Sequence, residues 1–221
     1  MNPASPDPRV EVLGRASSIN VRKVLWTCAE LGLEIRHVPW GEGDLSLASA
    51  DFRAFNPQGL VPVLRDPQAR QGRGIVLRES HAICRYLAAR QRRHDLLPEA
   101  PADRAEVEQW MEWMGTELNN AWRTAFMGLV RKSPAHQDAQ AIAASAAEWN
   151  RQMGFLEQQL RGTDRYVTQH GFTLADISVG LATHRWFMTP IEHADLPAVR
   201  AYYERLSERP AFLVHGRNGL P

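Results

Sequence analysis

Cysteine is nearly missing from this chain of 221 residues: only Cys28 and Cys84 occur, far apart and with no CxxC pattern. That excludes a disulfide framework and a thiolate zinc site. The 8 histidines are scattered and none pairs with carboxylates or thiols at a metal-ligand spacing, so no metal is expected. Long hydrophobic runs are lacking too. No segment approaches the roughly 20 apolar residues of a membrane helix, and "MNPASPDPRVEVL" lacks the charged-then-apolar pattern of a leader. The expectation is a cytoplasmic protein with no membrane contact. Net charge is almost absent as well, since 26 Lys and Arg face 25 Asp and Glu for a formal +1. A general nucleic-acid binder would carry a basic footprint, and no nucleic-acid partner is expected. The one compact basic run, Arg90 to His94, reads as a solvated linker or helix end.

What is present is ordinary for a globular protein, with 44% hydrophobic and 23% charged residues and length enough for one or two domains. The first part alternates strand and helix signals. Val10 to Leu13 is a short apolar run, "SSIN" offers capping residues, and Val21, Val24, Leu25 and Cys28 recur at helical spacing up to Gly32. "EIRHVPW" alternates as a strand, "GDLSLASADFRAF" suits an irregular helix, and "LVPVLRD" and "RGIVLRE" read as strands flanking the turn-like "DPQARQGRG". A helix from Ser80 to about Gln91 follows. The order βαβ, α, ββα predicts a small mixed sheet of four strands with helices on its faces.

Beyond the polar stretch "RQRRHDLLPEAPADR" strand signals vanish and long helical patterns take over. The reading is therefore α/β plus all-α, with domains over 1–91 and 104–221 and a linker over 92–103. One helix start is legible in detail: in "FTLADI" Thr173 is a good N-cap, Asp176 completes a capping box, and Phe172 and Ile177 occupy the staple positions. Asp176 is thereby assigned to folding rather than chemistry.

"NPQGLVPVL", Asn56 to Leu64, places Pro62 inside a strand-like run. Proline donates no hydrogen bond to a ladder and belongs at strand edges, starts or bulges. A cis Val61–Pro62 bond at a loop-to-strand junction would turn the N–H and C=O of Val61 outward, where a peptide-like ligand pairs with them as an added strand does.

"SSINVRK" after the first strand, "NPQGLVPVL" before the third, "ES" opening the third helix and "FTLADI" in a helical second half together resemble the cytosolic glutathione transferases, specifically the bacterial serine-type (theta-like or nu-like) members. Each piece is short, but they occur in order over most of the chain. The resemblance implies a thioredoxin-like N-terminal domain that binds the co-substrate glutathione, an all-helical C-terminal domain that supplies much of a hydrophobic substrate pocket, and a homodimer. It implies a detoxifying transferase that activates the glutathione thiol for attack on hydrophobic electrophiles or reduction of organic peroxides. The alternatives are a glutathione-transferase-like interaction module without catalysis, or a glutathione-dependent isomerase or dehalogenase.

Site residues follow position by position from the resemblance. Ser80, at a helix N-terminus, would receive the γ-glutamyl carboxylate with its N–H, its hydroxyl and the helix dipole, and Glu79 beside it the ammonium. Val61 and Pro62 would hold the tripeptide backbone. The serine that donates to the sulfur is Ser18 or Ser17; alignment on the following "R-K-V" favours Ser18, with Asn20 as a second polar group. A free thiol has a pKa of about 8.5, and each unit of lowering needs about 1.4 kcal/mol. Where many relatives carry a lysine before the Val-Pro step this chain has Leu60, which leaves Gln58, Arg22 and His37 as candidates for the glycine carboxylate. Trp113, Arg123 and Trp110 are candidates for the hydrophobic pocket, although such a stripe is more often core or dimer contact than pocket. Neither cysteine occupies the serine position.

Overall fold

The computed structural model describes residues 9–219 and 221; the first eight residues, read above as carrying no leader pattern, lie outside the described ones. The chain separates into two compact units, residues 1–91 and 92–221.

In the first unit β1 (Val10–Leu13), β2 (Ile35–Val38), β3 (Val63–Asp66) and β4 (Ile75–Leu77) form one sheet in the order β2-β1-β3-β4. β1 pairs parallel with β2 and antiparallel with β3, and β3 pairs antiparallel with β4. β1 is buried at all four residues because both of its faces are covered, at least in part. Helices α1 (Ile19–Glu30) and α4 (Ser80–Arg90) pack together. On the sheet, Phe52 from the short α2 (Ala50–Phe55) joins Leu13 and Val63, with Trp40 at 5.3 Å. This is a thioredoxin-like arrangement.

Local chemistry explains the boundaries. α1 ends where Leu33 donates to the Cys28 carbonyl across Gly32, whose φ of +62° is the left-handed turn that glycine adopts without cost. The stretch expected as an irregular helix forms only α2, started by Ser49, whose hydroxyl accepts from the Phe52 N–H at 3.2 Å. Between β3 and β4 the segment α3 (Ala69–Gly72) is a single turn, with Arg70 and Gln71 both in left-handed backbone.

The second unit begins earlier than its helical pattern suggests. Leu96 and Leu97, within the stretch read as linker, are buried, and the Leu96 carbonyl accepts from Leu174 N–H at 3.0 Å. The long pattern after Pro101 is not one uniform helix: α5 (Pro101–Trp113) passes through a π-helical turn (Met114–Leu118) into α6 (Asn119–Leu129). Thr116 bonds back to the Glu112 carbonyl at 2.8 Å, the kind of side-chain competition that loosens a helical ladder. α7 (Ala139–Thr163) packs on α6, and its alanines allow the close approach. α8 (Leu174–Met188) is buried from Leu174 to Trp186 and forms the centre of the unit, with α9 (Pro197–Leu206) and α10 (Pro210–His215) after it.

The capping box at α8 is present. Asp176, fully buried, accepts from the N–H groups of Thr173 and Val167 at 2.8 and 2.9 Å and from the Tyr202 hydroxyl at 3.1 Å. Burial outweighs these bonds and pushes its carboxyl up to about 6.

Candidate functional site

Three segments of the first unit meet around the N-terminal half of α1. Gly14 follows β1 with φ +143°, and a Cβ there would lie 2.6 Å from Val21 Cγ2 and 2.8 Å from Val61 Cβ. No other residue fits between the start of α1 and the Val61 loop, so Gly14 sets their close approach. The sequence reading did not single it out; a glycine between a strand and a helix start was the available signal.

Ser18 is the N-cap residue of α1, half-buried, yet its side chain makes no capping bond and, among the described residues, no other hydrogen bond. Asn20 lies exposed in the first turn and Ser17 is half-buried beside Ser18. The hydroxyl nominated for the sulfur is thus left available by its own helix.

Asn56 builds the second segment. Its side chain donates to the Leu60 carbonyl at 2.8 Å and accepts from the Gln58 N–H at 3.2 Å, while its carbonyl takes the Gly59 N–H at 2.9 Å. This clamp, also missed in the sequence, ends at a cis Val61–Pro62 bond. Among the described residues nothing bonds the N–H or C=O of Val61. Pro62 is buried and the Gln58 side chain is exposed.

The third segment is the start of α4. Glu79 adopts φ +64° and ψ +113°, a conformation that costs a non-glycine residue on the order of 1–3 kcal/mol and persists where the surroundings demand it. It gives α4 no side-chain cap, so the first turn keeps N–H groups for an incoming acceptor. Ser80 is buried there, and behind it stands Lys23 of α1, 2% exposed, with its ammonium 3.5 Å from Ser80 Oγ and 2.9 Å from His81 Nε2. Burial, then the charges of Lys23 and Arg85, hold the His81 imidazole down at about 2, so at neutral pH it accepts from Lys23. The sequence offered Lys23 only as part of an alignment; its meeting with Ser80 crosses 57 positions.

Of the residues weighed for the far carboxylate, His37 is bonded through Nε2 to the Gly14 carbonyl at 2.7 Å and Arg22 is buried in α1. The cysteines are free and buried, their thiols pushed up to about 12 for Cys28 and about 11 for Cys84 by desolvation, which leaves them protonated.

In the helical unit the aromatic candidates turn toward α7. Trp110 is buried, stacked on Phe155 at 5.2 Å and edge-on to Trp113 at 5.0 Å, while Trp113 donates to Gln152 Oε1 at 3.0 Å. Arg123 is exposed on α6. Among the described residues no three His, Cys, Asp or Glu side chains gather as metal ligands, and no helix is long and apolar enough to cross a membrane.

Comparison with known proteins agrees with this layout. Residues 17–90 match the glutathione S-transferase N-terminal domain and residues 119–210 the C-terminal domain. The chain is 37% identical over 202 residues to glutathione S-transferase GstB of Escherichia coli strain K12, covering 91% of this chain and 95% of that protein. It is 31% identical to glutathione S-transferase 3 of Zea mays, over 92% and 91% of the two chains. The crystal structure of the theta class enzyme from Xanthomonas axonopodis pv. citri, with glutathione bound, superposes with a TM-score of 0.83 at 35% identity, over 95% of this chain and 97% of that one. The chain belongs to the glutathione S-transferase family.

Proposed function

We propose that this protein is a glutathione transferase that holds glutathione on its N-terminal unit and stabilises the thiolate with the Ser18 hydroxyl. The free Val61 N–H and C=O suit pairing with the tripeptide backbone. The uncapped α4 start with Ser80 suits the γ-glutamyl carboxylate, and Glu79 its ammonium. The observation that carries the reading is the uncommitted hydroxyl of Ser18 at the N-terminus of α1, where the helix dipole also favours an anion.

In conjugation the thiol proton leaves to solvent, the thiolate sulfur forms a bond to an electrophilic carbon, and the leaving group departs with the electron pair of the broken bond. In peroxide reduction the same thiolate attacks a peroxide oxygen, the O–O bond breaks and the alkoxide leaves to take a proton, and a second glutathione converts the resulting sulfenic acid to the disulfide with release of water. Within the helical unit, half-buried Trp113 and exposed Arg123 are the groups of the expected set still open to a ligand, Trp110 being buried. Two buried free thiols suit the reducing cytoplasm, and the family's usual assembly gives a homodimer, checked by light scattering.

The thiolate absorbance of bound glutathione, followed against pH, tests the mechanism. A bound pKa about one unit below the free thiol, lost in Ser18→Ala but kept in Ser17→Ala, is expected for about 1.4 kcal/mol from one neutral donor. A bound pKa equal to that of the free tripeptide would overturn it.

A further inference from the structure

The end of the sheet away from the Val61 loop carries a cavity of about 730 Å³ that the glutathione reading does not use. Register builds its floor: Arg36 of β2, Glu11 of β1 and Arg65 of β3 stand side by side on one face. The Glu11 side chain is only 9% exposed, and its two oxygens hold Arg36 Nη1 at 2.7 Å and Arg65 Nη1 at 2.6 Å. One buried carboxylate thus fixes two guanidinium groups whose remaining N–H donors are available above it. Arg70 and Arg73 line the cavity from the β3–β4 turn, and among the described residues neither is in an ion pair. The remaining acid, Asp66, is committed elsewhere, to Arg90 at 2.9 Å and to the Tyr86 hydroxyl at 2.8 Å.

Four arginines therefore line a cavity of ligand size whose two carboxylates, Glu11 and Asp66, are both already paired. Adjacent strands lie about 4.8 Å apart, so Arg36 and Arg65 sit on strands separated by roughly 10 Å. The Glu11 carboxylate already draws these two side chains together, while Arg70 and Arg73 line the same cavity from another segment, so a chain of linked anionic groups can engage more of the four than one small anion can. Guanidinium forks match phosphate oxygens in pairs and keep their charge at every physiological pH. We infer that this cavity is a binding site for a polyphosphate chain, inorganic or carried by a nucleotide.

Titration calorimetry of the full chain at low ionic strength, with inorganic tripolyphosphate as the probe, tests this. Binding of one probe per chain is expected, weakening as salt is added and at least about tenfold weaker in Arg70→Ala/Arg73→Ala. Both arginines lie on an exposed turn outside the glutathione site, so the variant keeps wild-type turnover with an aryl halide, which also reports that it is folded. Equal affinity for tripolyphosphate and ATP assigns recognition to the chain alone; tighter ATP adds a contact to the nucleoside; both uphold the site. No heat at millimolar probe, or equal binding by the double variant, overturns it and leaves the transferase reading untouched.

Discussion

Ser18 at the start of α1 and Thr173 at the start of α8 are both hydroxyl residues at helix N-termini, one in each unit of the chain. In the helical unit the terminus is closed: Asp176 gathers Thr173, Val167 and Tyr202 around one buried carboxylate. In the α/β unit Ser18 caps nothing, and α4 likewise starts at Glu79 without a side-chain bond. A helix end left open forgoes about 0.5–2 kcal/mol of capping, and this chain leaves open the ends grouped around the N-terminal half of α1. On the proposed reading, the difference separates polar groups that hold the fold from polar groups kept for a ligand.

Asp176→Ala is the largest test of that contrast. It strands buried donors at Val167, Thr173 and Tyr202 together, so urea unfolding should show a loss of about 3 kcal/mol or more, beyond that of an ordinary cap. The Michaelis constant for glutathione in the folded fraction should stay unchanged. A loss under about 1 kcal/mol would erase the distinction between the two termini.

Ser18→Ala should behave in the opposite way. With no cap bond to lose, stability should shift by no more than about 0.5 kcal/mol, while kcat/KM falls about tenfold at neutral pH as the thiolate fraction drops. If the variant instead unfolds about 1 kcal/mol more easily at unchanged turnover, Ser18 is a cap like any other.

A further test of the Asp176 terminus is in the pH dependence. The Asp176 carboxyl titrates at about 6 in the folded protein against about 3.9 unfolded, so the folded state holds the extra proton between these values. Its contribution favours folding fully below about pH 4 and is lost as pH rises through about 6, with a slope of at most about 1.4 kcal/mol per unit. The difference between wild type and Asp176→Asn in unfolding free energy, measured across that window, isolates it from the other carboxylates. A flat difference would show that the carboxyl is not held protonated.

Much of this was legible in the residues. Apolar spacing gave the strands and the main helices, because periods of two and near four are set by backbone geometry alone. The capping box was readable because its partners stand three positions apart. The π-helical turn at Met114–Leu118 was hidden, since glycine and threonine are tolerated in an ordinary helix and only packing decides the register. Buried Leu96 and Leu97 were lost inside a charged stretch.

The order of "SSIN", "VP", "ES" and "FTLADI" sufficed for the family and the two-part architecture, since local patterns carry both. Which hydroxyl stays free, that Lys23 stands behind Ser80, that Gly14 lets Val61 reach α1, and that four arginines share a cavity were decided only in three dimensions. Each depends on a distance between segments remote in the chain, and no local spacing encodes such a distance.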